Sequence, residues 1–550
     1  MDCTTRTSRI GIAMLAVIGC GGLQGAAGAK PVEITVDTSR GRHAISPLIY
    51  GVCFGSKDQV SDLNAPLNRQ GGNNFTRYNW RVNTLNIDND WYFESIPGFF
   101  LNEPTSFVPA QRIDSFVDRS KAAGAQPMVS IPMIGWVAKS TSHTGKLYSF
   151  SVAKYGPQQK ADGDAGNGLK PDGKTPITGN DPMDASQAST PSDERGLVKH
   201  LVGRWGTAAK GGVRYYIMDN EPGLWHATHR DVHPKGFTYD EYLSDFLSYA
   251  GMVKSVDPTV QVVGPEEWGW PGFKYSGFDQ QYRGEHSYVG QPDADAHGGL
   301  EFMPWFLAKL HDHDKKTGKR LLDVFTFHIY PQGADYDHDN STKVCEMRNR
   351  STRSLWDPNY KDESWINDTM MMIPRLRKLV DTYYPGTKIG ITEYNWGAEK
   401  IMNGATAQAD ILGIFGRERL DLATRWTAPK VGTPAYNAMK IYRNYDGHKS
   451  TFGDVSVSDV VPDADTVSSF AACRSTDGAL TVMLINKQIT DPADIVMNID
   501  GFHGAGAAQV WRLSGEGTSI VHEGQVNVVK NAIRATLPSC SVTLLVLPKK

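Results

Sequence analysis

The sequence predicts an α/β fold: a (β/α)₈ TIM barrel with an attached all-β sandwich domain. Three observations predict it. Between residues 46 and 440, apolar runs of strand length alternate with longer amphipathic segments, the pattern of repeated βα units. From 441 to 550 the segments turn short, β-rich and turn-punctuated, as in Leu480–Asn486, 508–513 and 542–547, which reads as a sandwich. The chain has 550 residues, enough for a large barrel and a companion domain.

Taken in order, residues 1–29 read as an export signal. Arg6 and Arg9 precede an apolar stretch from Ile10 to Ile18, and Ala27-Gly28-Ala29 fits an A-x-A cleavage site. The protein is therefore expected to be secreted, with lipid attachment at Cys20 as the alternative. The apolar stretch is too short for a permanent membrane span, and no second one appears, so no integral membrane segment is expected. Residues 30–45 open with Val32-Glu33-Ile34-Thr35-Val36, which alternates like a half-buried strand. It is expected to join the C-terminal sandwich.

Eight barrel strands are expected at 49–54, 76–80, 127–131, 213–219, 260–264, 324–330, 388–392 and 422–426. The long connection from 155 to 194 carries Asp162-Gly163-Asp164-Ala165-Gly166-Asn167-Gly168. Alternating oxygen ligands and glycines suit Ca²⁺, so Asp162, Asp164 and Asn167 are candidate ligands of a structural ion. A plain surface loop is the other reading. Cys53, Cys345, Cys473 and Cys540 follow the signal, and Cys473 with Cys540, both in the strand-rich tail, are the expected disulfide pair.

The net charge of −3 offers no nucleic-acid footprint. The 13 Trp and 22 Tyr suit either a large core or sugar-stacking platforms. There is no zinc motif, serine elbow, phosphate loop or dinucleotide fingerprint. No cofactor is expected to be needed for the chemistry, and a monomer is expected.

Two of the predicted strands end in an acid. Tyr215-Tyr216-Ile217-Met218-Asp219-Asn220-Glu221-Pro222 delivers Glu221, and Lys388-Ile389-Gly390-Ile391-Thr392-Glu393 delivers Glu393. On the strand count these end strands four and seven, at the barrel's carboxyl face, where active sites sit. Asn220-Glu221-Pro222 alone also marks an ordinary helix start; the pairing of two strand-end acids is what is informative. Facing carboxylates are what glycosidic hydrolysis requires, one to protonate the leaving oxygen and one to attack the anomeric carbon. Glu221 fits the acid, with Asn220 placed to bond a sugar 2-hydroxyl, and Glu393 fits the nucleophile. Arg77 is expected to pair with Glu393, and His328 or Tyr330 to hold its geometry. Of Glu266 and Glu267, alternation allows one to face the barrel mouth, and Glu267 is assigned there as a substrate contact. Trp136, Trp225, Trp268 and Trp396 are candidate platforms.

The chain resembles glycoside hydrolase family 44. The resemblance rests on Gly71-Gly72-Asn73 with Thr76-Arg77-Tyr78-Asn79-Trp80, Ile131-Pro132-Met133-Ile134-Gly135-Trp136-Val137, 150–156, 216–225, 351–357, 391–397 and 412–417. It implies a retaining endo-β-1,4-glucanase or xyloglucanase acting on β-glucan, with acid/base Glu221, nucleophile Glu393 and Trp426 as the sugar floor at the end of strand eight. Gln70 departs from the family pattern, which has an aromatic before Gly-Gly-Asn. Two alternatives stand beside this reading. One is a related retaining arabinofuranosidase or glucuronidase; the other is a non-catalytic polysaccharide-binding lipoprotein.

Overall fold

The computed structural model describes residues 30–97, 107–140 and 145–550. The expected signal segment and Cys20 lie outside the described residues. Among the described residues no helix is long and apolar enough to cross a membrane.

Eight parallel strands close into a barrel: Gly51–Cys53, Leu67–Gln70, Gln126–Ile131, Tyr215–Met218, Gln261–Glu267, Val324–Ile329, Lys388–Tyr394 and Leu422–Arg425, with the eighth pairing back onto the first. Seven lie where periodicity predicts. The second is a correction. Residues 76–80 leave a short helix, Asn73–Thr76, and the strand is the preceding Leu67–Gln70, whose Asn68, Arg69 and Gln70 are wholly buried. A strand so polar in a barrel interior carries no apolar signature. Gln70 is sealed inside the wall, so its departure from the family pattern changes no cleft surface.

The sandwich packs a four-stranded sheet against a seven-stranded one. Val32–Asp37 lies in the smaller sheet, parallel to Ala493–Asp500 and antiparallel to Ser458–Val460. Ile34 and Val36 fill the space between the sheets with Val482, Leu484, Ile495 and Leu545. Alternate residues of that first strand point out, as the period-2 pattern requires.

Barrel and sandwich share buried surface. The helix Met402–Arg417 is buried along nearly its whole length, and a Cβ on Gly413 would overlap the Phe470 ring of the sandwich. Lys487 of the sandwich pairs with Asp410 of this helix at 2.7 Å, both essentially inaccessible. Such a pair adds little net stability, because both charges were taken out of water to form it.

The expected Cys473–Cys540 disulfide is absent; both are free thiols. Cys473 ends a strand beside Arg42, whereas Cys540 faces the barrel at Thr406. The connection from 155 to 194 is ordered, with a hairpin pairing Ala161–Asp162 to Ala165–Gly166. The Asp164 carboxylate turns back to accept from Ser151 Oγ at 2.6 Å and the Ala153 N–H at 2.7 Å. Asn167 bonds Gln159 and the backbone of Lys160 and Leu169, and Asp162 is exposed. The loop's own hydrogen bonds therefore occupy most of the oxygens proposed for an ion.

Candidate active site

Glu221 follows the fourth strand at a backbone position few side chains adopt. Its φ is 41°, and Asp219 (64°) and Glu266 (60°) are left-handed as well. Such conformations persist where surrounding contacts dictate them, and the contacts are visible. The Glu221 N–H donates to the Glu266 carbonyl at 2.9 Å. Asp219 is buried and accepts from Thr76 Oγ1 (2.5 Å), the Ile134 N–H (3.2 Å), the Asn220 N–H (2.8 Å) and the Met133 N–H. It ties the segments after strands two, three and four together beneath the acid. Burial pushes its carboxyl up to about 7 against those donors.

Glu393 lies on the seventh strand. Arg69 Nη1 donates to it at 2.7 Å and the Tyr330 hydroxyl at 2.8 Å. Glu221 accepts from His328 Nδ1 at 2.8 Å, and His328 Nδ1 lies 3.7 Å from Glu393. One carboxylate oxygen of each glutamate and a His328 nitrogen all lie within 4.8 Å of one another. Retaining glycosidases hold their carboxyl groups about 5–5.5 Å apart, whereas inverting ones leave about 6.5–9.5 Å for a water.

The two glutamates sit in different electrostatic surroundings. Burial, reinforced by the Glu393 charge, raises the proton affinity of Glu221, while the His328 hydrogen bond opposes it. Glu393 instead faces a guanidinium and a phenol, both donating. Paired carboxyls in unlike surroundings are what a division of labour between an acid and a nucleophile needs. His328 is held up to about 10 although burial opposes its charge, because Glu393, Glu221 and Glu266 surround it. As an imidazolium it donates through both nitrogens.

Both glutamates open into a cleft of about 430 Å³ lined by Asn73, Asp90, Trp91, Asn220, Tyr330 and Trp426, among others. Trp426 packs edge-on against Phe54, and a Cβ on Gly72 (φ 84°) would meet its ring at 2.5 Å. The glycine of Gly-Gly-Asn thus makes room for the indole. Asn220 accepts from Arg69 (3.2 Å) and donates to Asn73 (3.1 Å), which aims its amide at the cleft.

Several expected roles are corrected. Arg77 does not reach Glu393; it pairs with buried Asp231 (3.1 Å) and with Ser186, and Arg69 takes the place foreseen for it. Glu267 is buried away from the cleft and accepts from the Gly223 (2.9 Å) and Trp268 (3.1 Å) N–H groups, capping the turn after Glu221. Trp225 is 2% exposed and donates to the Asn220 carbonyl; Trp396 is 3% exposed and donates to Ser351. Trp136 pairs with Ala188 in a short outer ladder and packs on the core. Trp268 bonds Gln280. None of these four indoles lines the cavity around the two glutamates. His328 bonds Glu221 rather than Glu393, and Tyr330 bonds Glu393. Sequence reasoning missed Arg69, Glu266 and Trp91; the last is 45% exposed at the cleft mouth.

Comparison with known proteins places the chain. A model described as glycoside hydrolase family 44 matches residues 84–333. The chain is 52% identical to CelM2, a bifunctional glucanase-xylanase from a metagenome library. The match covers 94% of this chain and 99% of that one, with a TM-score of 0.92. It is 30% identical to a family 44 xyloglucanase from Paenibacillus polymyxa, covering 95% and 100% of the two chains with a TM-score of 0.79. It is also 30% identical to the β-mannanase/endoglucanase A of Caldicellulosiruptor saccharolyticus, over 93% of this chain, and spans 39% of that relative's length. A solved family member matched along its whole length, on a barrel whose fourth and seventh strands present paired glutamates, leads to one conclusion: this chain belongs to glycoside hydrolase family 44.

Proposed function

We propose that the protein is a retaining, endo-acting β-1,4-glucanase that also accepts xyloglucan. The observation that carries this is a pair of carboxylates with one oxygen of each within 4.8 Å of the other in an open cleft, one carboxylate beside a guanidinium and one with raised proton affinity. Glu393 attacks the anomeric carbon while Glu221 protonates the departing oxygen, leaving a glycosyl ester on Glu393. Glu221, now a carboxylate, takes a proton from water as that water attacks the ester carbon, and Glu393 is released. Asn220 bonds the sugar beside the scissile linkage and Trp426 stacks beneath it. Relatives named for glucanase, xylanase, xyloglucanase and mannanase activity support a β-1,4-linked backbone as substrate.

Export follows from the arginine-apolar-small pattern of residues 1–29, with processing after Ala29 as the favoured route over lipid attachment at Cys20. A polymer-degrading enzyme must meet its substrate outside the cell.

The test is product analysis on carboxymethyl cellulose, xyloglucan, xylan and mannan. A rapid fall in viscosity with mixed oligosaccharides is expected from the first two. Release of only single sugars from chain ends would favour the arabinofuranosidase-type alternative and overturn the proposal.

A further inference from the structure

We propose that Glu266 is a positioning residue that links the two catalytic carboxylates through Arg69 and His328 and keeps the buried charge balanced while negative charge moves from Glu393 to Glu221. The inference deepens the functional reading above and rests on it.

Glu266 is wholly buried and touches no substrate surface. Its carboxylate accepts four hydrogen bonds: Arg69 Nη2 at 2.8 Å, His328 Nε2 at 3.1 Å, Thr326 Oγ1 at 2.5 Å and Thr392 Oγ1 at 2.8 Å. A carboxylate has about four acceptor sites, so none is left over. Two of the donors are cations, and each cation also holds one catalytic acid. Arg69 reaches Glu393 and His328 reaches Glu221. A continuous bridge of direct hydrogen bonds therefore runs Glu393–Arg69–Glu266–His328–Glu221, its three middle members wholly buried and its two ends opening to the cleft.

The charges follow the chemistry. Before reaction Arg69 and His328 carry two positive charges, Glu266 and Glu393 two negative ones, and Glu221 holds its proton. When the Glu393 oxygen bonds to the anomeric carbon, the glycosidic C–O bond breaks and the Glu221 proton leaves with the departing oxygen. Glu393 is then a neutral ester and Glu221 an anion. The sum is zero in both states. The mobile charge has moved from the Arg69 side to the His328 side, and the fixed anion between the two cations holds both in place. An unbalanced charge in so dry a site is costly.

The other groups facing this cluster do not replace Glu266. Glu267, next on the same strand, turns its carboxyl to the Gly223 and Trp268 N–H groups. Tyr330 donates to Glu393, and Tyr242 to the Pro265 carbonyl. Cys53 lies 3.8 Å from Arg69 with its thiol pushed up to about 12 by burial, hence uncharged. Burial alone would protonate Glu266, yet Arg69 and then His328 hold it down to about 2.

Glu266→Gln keeps the shape and removes the charge; Glu266→Asp keeps the charge and shortens the reach. For Glu266→Gln, kcat is expected to fall about 10–100-fold, the usual effect of losing a group that orients catalytic side chains, with KM little changed. The alkaline limb of its pH profile is expected to move to lower pH, because removing a fixed anion lowers the proton affinity of the cluster. Glu266→Asp is expected to lose rate with both limbs in place, and it carries the test if the amide variant does not fold. A purely structural carboxylate would lower thermal stability and leave the limbs alone. A folded Glu266→Gln, or failing that Glu266→Asp, with wild-type kcat and limbs would overturn the proposal. Glu221→Gln and Glu393→Gln are measured alongside. Turnover retained in those would sink the underlying site reading; turnover lost in them but kept in the Glu266 variants would sink the bridge alone.

Discussion

Glu393→Ala is expected to lower turnover by about 10⁴-fold or more, the scale seen when one member of a catalytic unit is deleted. The loss is in kcat, because Glu393 contributes its bond only as the anomeric carbon is attacked. The deletion also vacates space beside Arg69 and Tyr330, two donors left without their acceptor. A small anion fits what they offer. Added azide is expected to restore part of the rate by attacking from the nucleophile's face, giving a glycosyl azide of inverted configuration, with Glu221 still supplying the proton. Wild-type-like hydrolysis by this variant, or no azide product in a folded protein, would remove Glu393 from the role.

Glu221→Gln is expected to be nearly as damaging on cellulose-type substrates and far milder on activated ones. A positioned general acid contributes about 10²–10⁴-fold, which is the loss expected where the leaving oxygen is a sugar hydroxyl. A dinitrophenyl cello-oligosaccharide has a leaving group that departs without a proton, so its first step should proceed at close to the wild-type rate. The pH profile supplies the second readout. The acid must be protonated, so wild-type activity is expected to fall as pH rises through the Glu221 value, which burial and Glu393 have raised. That alkaline limb should be missing from the amide variant. Equal losses on both substrate types, with the limb intact, would contradict the assignment.

What the sequence made legible follows from where apolar periodicity and chemistry coincide. Seven barrel strands are apolar runs, and the acids after the fourth and on the seventh stand out because charge breaks each run. The second strand was hidden for the opposite reason: Asn68, Arg69 and Gln70 face a polar network inside the wall, so no run exists to be read. Without an apolar run Arg69 has no strand to place it, and Arg77 is the arginine the sequence points to instead. Strict alternation puts one of Glu266 and Glu267 at the barrel mouth, whereas both are buried off the cleft, Glu266 in the network between the two acids. The register shifts between Pro265 and Glu267, with Glu266 in a left-handed conformation, so parity fails at the strand's end. Indole positions were the least legible. Trp225 and Trp396 adjoin the acids in sequence yet serve the core, whereas exposed Trp91 lies just past a short turn, Asp88–Asp90, that carries no strand signal.

Glu221 and Glu393 must work as a pair on one linkage, and trapping the covalent intermediate tests this most directly. A 2-deoxy-2-fluoro cello-oligosaccharide with an activated leaving group is expected to inactivate the enzyme. Peptide mass spectrometry should then find the sugar on the peptide containing Glu393, and hydrolysis of the natural substrate should first release the β-anomer. A label on another residue, or an α-anomer as first product, would contradict it.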